Sequence, residues 1–187
     1  TGGDLEEKSF KVQVGTRLSS GELNIYGRVV GTVTLSRPFL DVEATVKGQK
    51  IYIARPGDNI EVRLAFRNNL PVPVQNVIIE ATFVGTGLDE KEIRVPLGTY
   101  RPASRSVVWN ASSAGILKKL DPGQEDVFQL YFSFFDPIPI RTSNDKNFKI
   151  DVEIKISPGI FPPGFTGTDV TGTDKVEVKL ASRLQLV

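Results

Sequence analysis

Only oxygen ligands are available for metal binding in this sequence, because it contains no His, no Cys and no Met. Their densest setting is the doublet Thr166-Gly167-Thr168-Asp169 and Thr171-Gly172-Thr173-Asp174. Asp169 and Asp174 lie close together in a Gly-rich stretch, where two carboxylates can reach one hard cation, and calcium is the ion such oxygens suit. The same residues also read as a plain polar loop. Asn144, Asp145 and Asn147 make a second polar cluster, and neither group has the ligand spacing of an EF-hand loop. Calcium at Asp169 and Asp174 is the one cofactor the residues suggest.

Nucleophilic catalysis of the Ser–His–Asp or Cys–His kind is excluded without His or Cys. Carboxylate pairs occur at Asp89-Glu90 and Glu125-Asp126. They fall in or beside turns, where solvated charge is the plain reading, whereas a glycosidase needs two carboxylates set across a cleft. No phosphate-binding loop or dinucleotide fingerprint is present. Lys, Asn and Asp fall on neighbouring strands, yet no motif selects a cross-linking trio from them. The sequon Asn110-Ala111-Ser112 permits glycosylation in a suitable host. Trp109, the single Trp, has two readings: a plug between sheets, or an exposed platform for stacking sugars. The expectation is that the chain is not an enzyme.

The charges are balanced, with 23 basic and 22 acidic residues for a formal net charge of +1. They are interspersed, so strong attraction to nucleic acid or to an anionic membrane is not expected. Apolar residues make up 40% of the chain, enough for a core. The longest apolar run falls far short of the ~20 residues a membrane-spanning helix requires. The start Thr1-Gly2-Gly3 and the lack of Met suggest a processed or excised piece, whose signal or anchor would lie in flanking sequence. A lack of oxidisable Cys and Met suits an extracellular or cell-surface setting.

The elements that would position these residues are strands. Val62, Leu64 and Phe66 alternate with Glu61, Arg63 and Ala65. Phe128, Leu130, Phe132 and Phe134 alternate with Gln129, Tyr131 and Ser133. Ile150, Val152, Ile154 and Ile156 alternate with Lys149, Asp151, Glu153 and Lys155, and Val176, Val178 and Leu180 alternate with Lys175, Glu177 and Lys179. A period of two puts one face into a core and the other into solvent. The patterns predict strands near 9–14, 22–35, 38–46, 50–54, 59–67, 74–84, 91–97, 105–109, 125–135, 147–157 and 174–186. Turn sequences such as Pro56-Gly57-Asp58-Asn59, Asn68-Asn69-Leu70-Pro71 and Asp121-Pro122-Gly123 separate them. Asn68 and Asn69 are expected to cap a strand end through side-chain bonds to the backbone. Ala111 to Lys119 is the one helical candidate, weakened by Gly115. The expected fold is an all-β, immunoglobulin-like antiparallel β-sandwich with extra N-terminal strands.

Two stretches echo each other. Thr32-Val33-Thr34-Leu35-Ser36-Arg37-Pro38-Phe39-Leu40-Asp41-Val42 and Val176-Glu177-Val178-Lys179-Leu180-Ala181-Ser182-Arg183-Leu184-Gln185-Leu186 both run from an alternating strand through a Ser-Arg break into a new apolar strand. The echo suggests a repeat boundary. Residues 1–36 are then either the last strands of a preceding repeat or added edge strands. Residues 37–187 form the sandwich, with 183–187 possible as the start of a next repeat.

The stretch Ala54-Arg55-Pro56-Gly57-Asp58-Asn59-Ile60-Glu61-Val62-Arg63-Leu64-Ala65-Phe66-Arg67-Asn68-Asn69, followed by Val74-Gln75-Asn76-Val77-Ile78-Ile79-Glu80-Ala81, resembles the conserved-repeat, CARDB-like modules of bacterial and archaeal surface proteins. Trp109, Leu117, Leu120, Pro122 and Gly123, leading into the strand at 125–135, extend that resemblance to residues 38–135. Segments 85–105 and 136–148 depart from the compact pattern. The resemblance implies an immunoglobulin-like fold and a surface-protein setting.

The function expected is a non-catalytic structural or interaction module of a secreted or cell-surface multidomain protein: a spacer, a fibre or a surface-layer scaffold. The alternatives are a carbohydrate-binding or adhesin module, or an accessory domain of a secreted enzyme. The partners expected are neighbouring repeats or other copies of the protein, with a glycan or surface protein as a further possibility, and neither nucleic acid nor a direct membrane span. Phe128 to Phe135 and the loop Gly159 to Phe165 carry more apolar residues than one buried face needs, which marks them as contact surfaces or as packing beneath a sheet end.

Overall fold

Alternating sequence becomes strand here because a sheet residue can bury only every second side chain. The computed structural model describes residues 6–35, 38–138, 148–165 and 170–181. It divides into two compact units, Thr1–Arg37 and Pro38–Val187.

The first unit is a two-stranded antiparallel hairpin, β1 (Glu6–Arg17) and β2 (Leu23–Leu35). Its loop is closed by the Gly21 amide donating to the Leu18 carbonyl at 2.9 Å. The register shifts at Val14/Gly15.

The second unit is an immunoglobulin-like sandwich. Its strands are β3 (Leu40–Val46), β4 (Ile51–Ala54), β5 (Ile60–Asn68), β6 (Val74–Gln75), β7 (Ile78–Gly85), β8 (Leu88–Arg94), β9 (Thr99–Arg101), β10 (Ser106–Trp109), β11 (Lys119–Leu120), β12 (Glu125–Phe134), β13 (Lys149–Ser157) and β14 (Gly172–Leu180). One sheet runs β4-β14-β13-β7-β10-β9 and the facing one β3-β5-β12-β8, with β6 and β11 forming a small separate pair. Pairing is antiparallel except where β4 lies parallel to β14, Ile51 opposite Glu177 and Ala54 opposite Leu180. The first strands thus divide between the two sheets, a swap that closes one side of the sandwich.

The two inner faces meet in a single core. Ile60, Val62, Leu64 and Phe66 of β5 and Phe128, Leu130, Phe132 and Phe134 of β12 face Ile150, Val152, Ile154 and Ile156 of β13 and Val176 and Val178 of β14. Phe66 and Phe128 pack side by side within one sheet at 4.9 Å between ring centroids, and Phe83 and Phe132 meet edge-on across the core at 5.3 Å.

Three local features differ from the sequence expectation. The strand expected over 74–84 is broken, because Asn76 adopts a left-handed φ of 52°, a conformation Asn tolerates better than most residues. The Asn76 and Val77 amides then donate to the Lys118 and Leu117 carbonyls, at 3.1 and 2.8 Å, pairing β6 with β11. The strand expected at 91–97 lies earlier, at Leu88–Arg94, since Pro96 lacks the amide that would continue the ladder. The helical candidate 111–119 shortens to one 3-10 turn, Gly115–Lys118.

Candidate functional site

Asp174 is the member of the expected calcium pair that falls among the described residues; Asp169 lies outside them, as do Asn144, Asp145 and Asn147. Asp174 sits on β14 opposite Ile154, at the margin of the core. Its Oδ2 accepts the Ala44 backbone amide of β3 at 2.6 Å and pairs with the Lys50 ammonium. The carboxylate therefore ties an edge strand of one sheet to the other sheet. An inward acid that occupies an edge amide in this way also blunts that edge against foreign strands. Among the described residues, no group of three His, Cys, Asp or Glu gathers as a metal site.

The outer face of the larger sheet carries a ladder of charges. Lys149 bridges Asp151 at 3.1 Å and Glu177 at 2.8 Å; Lys175 reaches Asp151 at 3.3 Å and Lys179 reaches Glu177 at 2.9 Å. The register makes this possible, because Lys149, Asp151 and Glu153 stand opposite Lys179, Glu177 and Lys175. Hydrogen bonds from Lys149 and then Lys179 hold the Glu177 carboxyl down to about 2. The bond to Glu177, followed by that to Asp151, pushes the Lys149 ammonium up. Asp151 is 8% exposed, and its Oδ1 is buried without a hydrogen-bond partner among the described residues. On the facing sheet, Asp41, Arg67 and Glu125 form a comparable row, with Arg67 and Glu125 at 3.4 Å.

These faces are shallow. An open trough of ≈ 510 Å³ runs over Glu80, Thr82, Glu153, Lys155, Thr173 and Lys175. Another of ≈ 440 Å³ lies over Asp41, Glu43, Arg63, Arg67 and Glu125, with Ala65 and Val127 in its floor.

Trp109 is fully buried, stacked on Phe128 at 5.7 Å, and its indole Nε1 donates to the Pro96 carbonyl at 3.1 Å. It is the core plug. The sugar-platform reading of this residue is thereby corrected: all of its surface is inside and its one polar atom is already bonded. Asn110 of the sequon is half-buried, with its Oδ1 accepting the Ser112 and Ser113 amides at 2.9 and 3.1 Å. It caps a turn.

Asn68 does more than the strand cap expected of it. The residue is completely buried. Its Nδ2 donates to the Val72 and Leu120 carbonyls at 3.0 and 2.9 Å, and its Oδ1 accepts the Leu70 amide at 2.9 Å. Asn69 secures the start of the unit, with Nδ2 donating to the Pro38 carbonyl at 2.9 Å. Tyr100 has its ring edge-on to Phe83 at 6.4 Å. Its hydroxyl is buried beside Glu90 without closing a well-formed hydrogen bond. Burial first, and Glu90 second, push that hydroxyl up to about 12.

The two apolar stretches separate into inward and outward parts. Phe128, Phe132 and Phe134 are buried, Tyr131 is half-buried and Phe135 is exposed. In the loop after β13, Phe165 packs edge-on against Phe39 at 5.4 Å, while Ile160 and Phe161 are exposed. Sequence reasoning missed the charge ladder and the Asp174 tie. Strand register would have exposed the first. The second joins residues 130 positions apart, for which no local signal exists.

No family model matches the chain, and no curated protein matches it. Among solved structures, it is similar to AvmM, which catalyses macrocyclization in alchivemycin A biosynthesis, at 9% identity over 81% of this chain and 93% of that one, with a TM-score of 0.48. It is similar to a chain of a type I cohesin–dockerin complex from Clostridium thermocellum at 16% identity, over 78% and 96% of the two chains, with a TM-score of 0.41. It is also similar to a family 123 glycoside hydrolase from Clostridium perfringens at 10% identity and a TM-score of 0.42, covering 80% of this chain but 28% of the enzyme. At such identities the likeness is one of fold alone. Among the described residues, no helix is long and apolar enough to cross a membrane.

Proposed function

We propose that the chain is a non-catalytic structural and interaction module of a secreted or cell-surface multidomain protein, acting as a load-bearing spacer in a fibre or surface layer. The observation that carries this reading is the parallel pairing of β4 with β14. It places the first strands of the sandwich beside its last. Tension applied through residues 38 and 181 pulls these neighbours in opposite directions along their length, so their hydrogen bonds bear load together. The Glu177 amide to the Lys50 carbonyl and the Ala181 amide to the Ala54 carbonyl, both 2.8 Å, mark the two ends of that ladder. The tie from Asp174 to Ala44 and Lys50 reinforces it.

The side chains with chemical potential support the same reading. Trp109, Asn68, Asp174 and the Lys149–Asp151–Glu177 ladder are each engaged in holding the strands together. A carbohydrate-binding role would need an exposed aromatic platform other than Trp109.

Single-molecule pulling tests the proposal. With handles at residues 38 and 181, the sandwich is expected to yield in one event, releasing roughly 500 Å of chain at about 3.6 Å per residue. Handles at residues 55 and 181 instead peel the same ladder from one end, and the force is expected to be clearly lower. Equal forces in the two geometries would remove the load-bearing role.

A further inference from the structure

We infer that the apolar face of the β1–β2 hairpin is the inner face of a second β-sandwich, and that its occupant is an immunoglobulin-like set of strands lacking its own last two. The inference rests on the hairpin's register and stands whatever role the complete sandwich plays.

The hairpin is two-faced. Phe10, Val12 and Val14 pair with Gly31, Val29 and Gly27, so these share one face; Lys11 and Gln13 pair with Val30 and Arg28 on the other. On the first face, Phe10, Val12, Val14 and Val29 are between 50% and 65% exposed, and Tyr26, whose hydroxyl meets Thr16 Oγ1 at 2.6 Å, is 69% exposed. An isolated two-stranded hairpin is marginal in water and needs a covered face.

Its register matches that of the β13–β14 pair. Aligning the strand-end Leu35 of β2 with Leu180 of β14 brings Gly27 onto Gly172. The pairs Phe10↔Gly31, Val12↔Val29 and Val14↔Gly27 then fall on Val152↔Val176, Ile154↔Asp174 and Ile156↔Gly172. In β13, every residue so matched is core. The apolar face of the hairpin therefore has the parity and length of a sandwich's inner face.

The glycines say what lies against it. A Cβ on Gly172 would come 2.1 Å from the Leu40 carbonyl oxygen, because the first strand of the sandwich crosses there with its backbone. A Cβ on Gly27 would meet nothing within 4 Å. Gly27 leaves the matching position open to a crossing backbone.

A second copy of the hairpin is the weaker occupant. A 12-residue strand is about 40 Å long and a two-stranded ribbon roughly 10 Å wide, so two faces pressed together bury about 800 Å², below the 1,200 Å² or more of stable interfaces. A half-sandwich also wraps the edges of the hairpin and supplies the missing backbone.

Hydrogen exchange tests the occupant. In the 187-residue chain at low concentration, the amides of residues 6–35 are expected to exchange at least about 100-fold faster than those of β13 and β14. The full chain is then extended at its start by residues 38–148, with Phe148 joined to Glu7, the residue at the register of Lys149. A second fusion adds Lys8→Ile, Phe10→Val and Gly31→Val, which copy Ile150, Val152 and Val176 and remove the Phe10 ring that lies over Gly31, so that a packing mismatch does not decide the result. In at least one fusion, the hairpin amides are expected to slow by about 100-fold. Gly27→Val is expected to abolish that gain while leaving protection in residues 38–181 unchanged. Full protection of the hairpin in the dilute, unextended chain would overturn the inference. So would protection that rises with concentration alongside the measured mass, which would identify a second copy, or failure of both fusions to protect the hairpin.

Discussion

Replacing Asn68 by Ala would remove three hydrogen bonds from a completely buried position. The Leu70 amide would lose its acceptor and the Leu120 and Val72 carbonyls a donor. Leu70 and Leu120 are buried, whereas Val72 is half-exposed and its carbonyl can turn to water. Each buried polar group left without a partner costs about 1–3 kcal/mol. Two such groups and one weakened one amount to about 3–5 kcal/mol, a large part of the 5–15 kcal/mol that holds an ordinary domain folded. Asn69→Ala is the matched control, because its bond to the Pro38 carbonyl is exposed. Its loss should stay below about 1 kcal/mol. Trp109, the single Trp and fully buried, reports unfolding by fluorescence. In urea, with a slope of about 2 kcal/mol per molar, the Asn68→Ala midpoint should fall by about 2 M with the slope unchanged. A loss under about 1 kcal/mol, or one no larger than that of Asn69→Ala, would refute the view that Asn68 clips the 68–72 turn to the 120–124 turn.

Other consequences follow from the same contacts. Trp109→Ala should cost about 3–5 kcal/mol, measured by far-ultraviolet circular dichroism because the fluorophore is gone. Glu177 is held down to about 2 from an ordinary 4.5. Its stabilisation is thus complete above about pH 4.5 and lost as pH falls toward 2; Glu177→Gln should flatten the stability profile over that window, lowering stability at neutral pH and leaving it nearly unaffected near pH 2. Tyr100, pushed up to about 12, favours the fold below its ordinary value of 10. That contribution is lost as pH rises through 12, so Tyr100→Phe should remove the highest-pH step in the tyrosinate absorbance. Because Lys50 and the Ala44 amide occupy Asp174 Oδ2, millimolar calcium should leave the melting temperature unchanged; a rise that Asp174→Asn abolishes would instead place the ion there.

The sandwich was legible in the sequence wherever a strand has one wet face. β5, β12, β13 and β14 all show period two, because their inner residues enter a common core. The pattern blurred where burial is two-sided or the strand very short. Ser106 to Trp109 is buried throughout, and β9 and β11 hold 3 and 2 residues, too few for a period to register. The break at Asn76 comes from bonds to Leu117 and Lys118, which lie far along the chain. In the sequence Asp174 stands out as an acid in a Gly-rich stretch. Its actual partner, Lys50, is 124 positions away, and only the closed sandwich brings them together.

The tie at Asp174 also sets an order of events during synthesis. Among the described residues, β4 pairs with β14 alone, and the Ala44 amide finds its acceptor on that same late strand. As the polypeptide emerges, these early residues wait for more than a hundred others, roughly 6–25 s at ordinary elongation rates. Throughout that interval Ile51 and Ile53 stand on an unpaired ribbon. A nascent chain stalled before residue 172 is therefore the form of this protein most prone to stick to its neighbours.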